Sequence, residues 1–255
     1  MKAIILVAGY ATRLYPLTKD KPKALLEVNK KPIINYIVEQ IDKIDAIDDI
    51  FVVSNHKFAK NFEDWAKVTE SEKKITVIDD GTDTVETRRG AIGDILFTIE
   101  QMKLDDEIMI IAGDNLFTYD LKDFFDYYKK IDCDSVCAKR FENKEMLSQF
   151  GIAELDGNNK IIGLEEKPEN PKSDIVVYAT YLYKKETMPM FKDYMDEGNN
   201  LDAPGHFIEW LYKKKDVYAY IFDGECYDVG THESYEAVQK VFAEKWIRVG
   251  NRYFC

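Results

Sequence analysis

The first half of the chain alternates short, nearly all-apolar runs with longer stretches in which apolar residues recur every three or four positions. "KAIILVA" (Lys2–Ala8), "DIFVVS" (Asp49–Ser54), "KITVID" (Lys74–Asp79) and "EIMIIAGDN" (Glu107–Asn115) are of the first kind. Runs of this length and character predict strands, the first of them buried. "PIINYIVEQIDKI" (Pro32–Ile44), "HKFAKNFEDWAKV" (His56–Val68) and "GAIGDILFTIEQMK" (Gly90–Lys103) carry the helical period, the first with Pro at its start. The order β-α-β-α-β-α-β predicts an α/β fold with a doubly wound, mostly parallel sheet.

The pattern changes after residue 130. "DSVCAKRF" (Asp134–Phe141), "FGIAEL" (Phe150–Leu155), "KIIGLEEK" (Lys160–Lys167) and "IVVYATYLYKK" (Ile175–Lys185) follow one another as strands, with "DGNN" (Asp156–Asn159) as a hairpin turn. Helices are expected at Glu186–Met195 and Pro204–Lys214, a strand at Val217–Phe222, and a last helix at Thr231–Lys245 after "CYDVG". No linker, repeat or low-complexity tract interrupts this. The expectation is one domain, residues 1–245, with a mixed-sheet insertion in its second half. The aromatic tail "WIRVGNRYFC" (Trp246–Cys255) is expected to pack on that domain or on a neighbouring subunit.

Composition narrows the function classes. The 255 residues are 45% hydrophobic, enough for one large domain or two small ones. No stretch reaches the ~18 consecutive apolar residues of a membrane helix. "KAIILVAG" lacks a small-residue cleavage site, so a mature, cytoplasmic start is expected. Cys133, Cys137, Cys226 and Cys255 fit no common zinc spacing and read as buried or idle thiols. A net charge of −12 argues against a nucleic-acid binder, which needs a basic face. An acidic protein can still bind a polyanion through a local cluster of cations or a metal.

Such a cluster follows the first strand, where open α/β sheets place their ligand crevices. In "LVAGYATRLYPLTKDKPKALLEV" (Leu6–Val28), Gly9 permits a tight turn whose N–H groups can face a phosphate. Arg13 offers a fork of donors and Lys23 a point charge, while Pro16 and Pro22 stiffen the loop. The competing interpretation is a solvated basic loop. Asp114 follows a buried strand and so lies at the sheet's carboxyl end, although an Asp in a turn is often just a turn former. Arg88 and Arg89 are expected to face solvent, and His56, His206 and His232 to be structural.

"AGYATRLYPLT", "KPKALLEV" and "KPIINYIVEQI" together resemble the signature of the nucleotidyltransferase family that activates sugar 1-phosphates, A-A-G-x-G-T-R-L-x-P-x-T followed by P-K-x-[LM]. Arg13, Leu14, Pro16, Thr18, Pro22 and Lys23 match. Ala11 stands where the family has its second glycine, so the loop there must take a negative φ or carry strain. The resemblance implies a Rossmann-like fold with a nucleotide-binding half (1–130) and a sugar-phosphate-binding half (131–230). It implies that Ala8, Gly9, Tyr10, Ala11, Thr12 and Arg13 bind the nucleotide with Gly90 and Asp114, and that Lys23 and Arg13 are catalytic. "GDN" with Asp114 and "YDVGT" with Asp228 resemble the family's metal site, which implies Mg²⁺ on two carboxylates. "GLEEKP" resembles its sugar-phosphate segment: Glu166 accepting from sugar hydroxyls, Lys167 on the phosphate, Gly151 giving room, and Tyr178 with Ala179 flanking the pocket. "DAPGHFIEWL" (Asp202–Leu211) matches no part of the pattern.

The reaction so implied joins a nucleoside triphosphate, dTTP or UTP favoured, to a sugar 1-phosphate, glucose 1-phosphate by default, and releases pyrophosphate. Two rivals stand beside it. One is a cytidylyltransferase acting on phosphocholine, with Tyr178, Tyr181 and Tyr183 as an aromatic cage. The other is a regulatory protein that binds nucleotide sugars without turnover, a reading that Ala11 encourages. A nicotinamide-dependent dehydrogenase is excluded, since no G-x-G-x-x-G follows the first strand. No nucleic-acid or membrane partner is expected, and a homo-oligomer is left open.

Overall fold

The apolar run at the start of the chain forms strand β1 (Lys2–Leu6); a small antiparallel pair follows, β2 (Glu27–Val28) with β3 (Lys31–Pro32). β1 sits inside a parallel block, paired with β4 (Asp49–Ser54) on one side and β6 (Ile108–Ala112) on the other. β5 (Lys74–Asp79) extends the block beyond β4, giving the order β5-β4-β1-β6. The computed structural model describes the backbone of residues 1–250, and side chains except at positions 144 and 244–250. The side chains of the tail Trp246–Cys255, for which packing was expected, thus lie outside the described residues.

Successive side chains of β1 point to opposite faces, and each face has its own core. Ala3, Ile5 and Val7 meet helices α1 (Ile33–Asp42), α2 (His56–Val68) and α4 (Leu121–Ile131) through residues such as Ile37, Phe62 and Phe124. Ile4 meets α3 (Ala91–Met102), α5 (Met188–Asp196) and α6 (Pro204–Leu211) through Ile95, Phe191 and Phe207. This is the doubly wound arrangement the periodicity predicts.

The second half continues the same sheet in mixed sense. β11 (Ile175–Tyr183) runs antiparallel to β6 through Thr180–Tyr183 and antiparallel to β9 (Gly151–Leu155) through Ile175–Val177. β10 (Ile161–Glu166) pairs with β9, and β8 (Asp134–Arg140) branches off β11 to meet β12 (Val217–Ile221), completing nine strands. β7 (Asn115–Phe117) and β13 (Cys226–Asp228) form a separate antiparallel pair that sets Asp228 opposite Asn115. Helix α7 (His232–Gly250) lies over the N-terminal segment, where Gln239 accepts from the Asn29 N–H and Tyr235 donates to the carbonyl of Glu27.

Several boundaries differ from expectation. The run Glu107–Asn115 is not one strand: β6 ends at Ala112 and β7 begins at Asn115. Gly113 makes the break, because its N–H still bonds Leu6 O at 2.9 Å, while a Cβ there would lie 2.3 Å from Val7 Cγ1. The helix expected over Glu186–Met195 opens with a 3₁₀ turn, Lys185–Thr187, and becomes α-helical only at Met188, with Pro189 in its first turn. The helix expected to end at Lys214 stops at Leu211, and the last helix outruns Lys245. Helix α4, with Asp120 accepting from Lys122 N at its start, was not anticipated at all. Among the described residues, no helix is long and apolar enough to cross a membrane.

Candidate active site

β1 and β6 are the adjacent strands at which chain order reverses, and a crevice opens beyond their carboxyl ends. Two segments feed it: the loop after β1 and the Gly113–Asp114 turn after β6. In the first, Gly9 is not among the left-handed residues; the tight turn is made at Ala11, with φ 47° and ψ 42°. Of the two outcomes expected for an alanine there, strain is the one found. Left-handed backbone costs an L-residue about 1–2 kcal/mol. Two bonds hold it: Thr18 Oγ1 and Leu14 N both donate to Ala11 O, at 2.8 and 3.0 Å. A 3₁₀ turn (Thr12–Leu14), a cis Tyr15–Pro16 bond and a second 3₁₀ turn (Lys23–Leu25) then carry the chain back to the crevice.

That path delivers Lys23 between two carboxylates. Its Nζ lies 2.6 Å from Asp114 Oδ2 and 3.5 Å from Asp228 Oδ1, with the side chain only 13% exposed. Burial pulls the ammonium's pKa down, but the attraction of Asp114 and Asp228 outweighs it and the net shift is upward. Asp228 is raised, first by burial and then by the like charge of Asp114, with Lys23 and Arg13 partly offsetting both. Arg13 closes the group: a Cβ on Gly230 would lie 3.2 Å from Asp228 Oδ2 and 3.4 Å from Arg13 Nη2. The solvated-loop interpretation therefore fails for Lys23, and Asp114 is more than a turn former.

Two carboxylates converging on one crevice, one of them with its pKa raised by burial and then by the other's charge, suit a divalent cation. Mg²⁺ is commonly held by one or two carboxylates, with phosphates and water completing its shell. The two aspartates offer hard oxygen donors of the kind such an ion takes.

From Arg13, Asp114 and Asp228 a cavity of about 630 Å³ runs along β9, β10 and β11 to Glu166 and Lys167. Glu166 ends β10 with its side chain 11% exposed. Burial raises its carboxyl pKa, against Lys167 and His206, which lower it. Among the described residues its nearest cation is Lys167 Nζ at 3.9 Å. Gly151 gives it room, since a Cβ there would sit 2.8 Å from Glu166 Oε2. Tyr178 and Ala179 line the same cavity, and burial pushes the Tyr178 phenol up.

Other expected site residues stand apart. Tyr10 is buried and donates to Thr82 O at 3.0 Å; Ala8 O accepts from Asn55 Nδ2 at 2.8 Å; Thr12 is exposed. Gly90 is left-handed at φ 77°, and a Cβ on it would lie 2.5 Å from Leu201 O. The N–H groups that follow are taken by protein: Ala91 N donates to Asp202 O and Ile92 N to Leu201 O. The glycine at that helix start answers to packing. Arg88 and Arg89 are exposed, as expected, and each also has a protein partner. Arg88 Nη2 pairs with Asp202 Oδ2 at 2.9 Å, and Arg89 donates to Asp80 O while stacking over Phe97. The histidines are tied locally, His56 to Asp79, His206 beside Glu209 and His232 to Tyr15 O.

Sequence reasoning missed the cavity walls that belong to α6 and α7. Ala203, Pro204 and Gly205 close one side, and Thr231 and Ser234 another. The signals were local ones, Pro at the start of α6 and a Thr-x-x-Ser turn in which Ser234 Oγ accepts from Gly230 N and Thr231 N. Nothing in either signal points to a ligand.

The family profile described as nucleotidyl transferase matches residues 2–245. The chain is 31% identical over 230 residues to the bifunctional protein GlmU of Methanocaldococcus jannaschii, covering 90% of this chain and 51% of that one. It is 31% identical over 189 residues to a putative mannose-1-phosphate guanyltransferase of Sulfolobus acidocaldarius, covering 74% and 50%. The chain thus spans about half the length of these two relatives. A putative UTP–glucose-1-phosphate uridylyltransferase of M. jannaschii is matched more fully, 26% identical over 253 residues, 90% of this chain and 88% of that one. The crystal structure of a UDP-glucose pyrophosphorylase complexed with UDP-glucose shares the fold, with a TM-score of 0.80 and 23% identity over 96% of this chain and 98% of that one. With the family profile matched over residues 2–245 and a relative 31% identical over 90% of the chain, this protein belongs to the nucleotidyl transferase family.

Proposed function

We propose that this protein joins a nucleoside triphosphate to a sugar 1-phosphate and releases pyrophosphate, with UTP or dTTP as donor and glucose 1-phosphate as the default acceptor. The observation that carries the reading is Lys23 seated between Asp114 and Asp228, at the head of a cavity that ends on Glu166 and Lys167. Relatives named as uridylyltransferases that it matches over most of their length favour UTP. On this reading residues 1–245 act as one unit, 1–130 serving the nucleotide and 131–230 the sugar phosphate.

In the reaction an oxygen of the sugar phosphate bonds to the α-phosphorus as the bond to the bridging oxygen breaks. Pyrophosphate leaves with that electron pair, and no covalent enzyme intermediate is required. The barrier lies in bringing two anions together in line, so positioning and charge are the enzyme's contribution. Arg13 and Lys23 neutralise the triphosphate. Lys167 holds the attacking phosphate, and Glu166 accepts from sugar hydroxyls, which orients the acceptor. Asp114 and Asp228 would hold a Mg²⁺ ion, which would supply further neutralisation of phosphate charge.

The phosphocholine alternative draws less support. Tyr183 packs edge-to-face into the core against Phe191 and Phe207, which leaves Tyr178 and Tyr181 at the cavity. A matrix of triphosphates against sugar 1-phosphates and phosphocholine, read by pyrophosphate release with and without Mg²⁺, tests the reading. Mg²⁺-dependent release with UTP or dTTP and a sugar 1-phosphate is expected. Release confined to CTP with phosphocholine, or none with any pair, would overturn it.

A further inference from the structure

The stretch that leads from α5 into the first turn of α6 bridges the start of α3 and a wall of the cavity. At one end, the carbonyls of Leu201 and Asp202 cap the first N–H groups of α3, and the Asp202 carboxylate pairs with Arg88. Gly90 packs so closely on this segment that a Cβ would lie 2.5 Å from Leu201 O and 3.1 Å from Asp202 Cα. Both are backbone atoms with no rotamer to escape into. At the other end, Ala203, Pro204 and Gly205 form a wall of the cavity. A Cβ on Gly205 would lie 2.1 Å from Glu166 Oε2 and 2.9 Å from Glu166 Cδ. Opposite it, a Cβ on Gly151 would lie 2.8 Å from the same Oε2. The carboxylate is clamped between two glycines on different elements, with no cation nearer than 3.9 Å among the described residues. Its position is set by shape.

We propose that Leu201–Gly205 is a strap, anchored by Gly90 and Arg88 at the start of α3, that positions Glu166 for the acceptor through Gly205. The inference rests on the reading of Glu166 as the acceptor's carboxylate. It assigns positioning roles to Gly205, Gly90, Arg88 and Asp202, and it gives Gly90 to the acceptor side of the reaction.

Adding a methyl at position 205 forces the Glu166 carboxylate to swing away. Small misplacements of a positioning group cost on the order of 10²-fold. Gly205→Ala is therefore expected to raise KM for glucose 1-phosphate at least ~10-fold, with KM for UTP held within ~2-fold. Gly90→Ala, which displaces the strap, is expected to shift the same KM. Asp202→Asn changes a half-exposed residue and keeps the fold testable if Gly90→Ala does not accumulate. Loss of an exposed ion pair predicts a rise of up to ~5-fold in acceptor KM. Coupling is the sharper readout: in a Glu166→Ala background, Gly205→Ala should add less than ~2-fold, because the clash is gone. A rise in UTP KM with acceptor KM unchanged, in Gly90→Ala or Gly205→Ala, overturns the strap, as does full additivity of Gly205→Ala with Glu166→Ala. A wild-type enzyme that turns over none of the pairs overturns the functional reading instead, and the strap with it.

Discussion

Ala11 stands where the resembled signature carries its second glycine, and the structure shows how the backbone accommodates it. A glycine would adopt φ 47° freely; the alanine is held there by Thr18 and Leu14 on its carbonyl. Ala11→Gly relieves about 1–2 kcal/mol of strain but gives the unfolded chain more freedom. The net expectation is a gain of up to about 1 kcal/mol, read as a higher Tm in thermal unfolding; an unchanged or lower Tm would show that the surrounding bonds, and not strain, dominate there. Asp114 and Asp228 make a second residue-scale prediction. If both hold the cation, Asp114→Asn and Asp228→Asn each weaken Mn²⁺ binding by at least ~10-fold in a spectroscopic titration, since one of two charged ligands is lost. A variant that binds Mn²⁺ as tightly as the wild type would remove that residue from the metal site. The pair was legible in sequence only as two short motifs. What brings them together is the β7–β13 pairing, two three-residue strands far apart in the chain and too short to announce themselves by periodicity.

At the scale of elements, α3 carries an acid that its surroundings keep neutral. Asp94 lies in its first turn, 5% exposed, with Oδ1 lacking a hydrogen-bond partner. Burial, and then the neighbouring charge of Asp80, push its pKa up to about 8, with Arg89 opposing weakly. In the unfolded chain the same group ionises near 3.8. Between those values the folded state keeps a proton the unfolded state has lost, so stability falls as pH rises from about 4 to about 8 and levels off above. The span is on the order of a few kcal/mol. Asp94→Asn, neutral throughout, should change Tm little at pH 5 and raise it by several degrees at pH 8; an equal shift at both pH values would show that Asp94 does not titrate as described. How legible the elements were follows the same physics. α2, β4 and β5 match their predicted ends residue for residue, because each is a clean run between turn residues. Helix α4 was missed although Asp120 caps it and Leu121, Phe124 and Tyr128 carry its buried stripe. Aromatic residues on both its faces blurred the period. The ends of α5 and α6 moved because tertiary packing, more than propensity, decides where a helix stops.

For the molecule as a whole, a net charge of −12 surrounds a crevice that, on the proposed reading, receives two polyanions. Within that acidic molecule the cations at the crevice come from two places: Arg13 and Lys23 from the loop after β1, and Lys167 from the end of β10. The α/β class and the sheet's doubly wound half were legible from the alternation of runs. The role of Asp202–Leu211 as a wall of the cavity was not, because its contact with Glu166 exists only in the folded chain. The central claim is that Lys23, between the two aspartates, balances the charge that moves in the reaction. It is tested most directly by comparing pyrophosphate release by the wild type and Lys23→Ala, at saturating UTP and glucose 1-phosphate, with circular dichroism to confirm the fold. The account predicts a loss of ~10²–10³ in turnover with the spectrum unchanged. Turnover within a few-fold of wild type would contradict it.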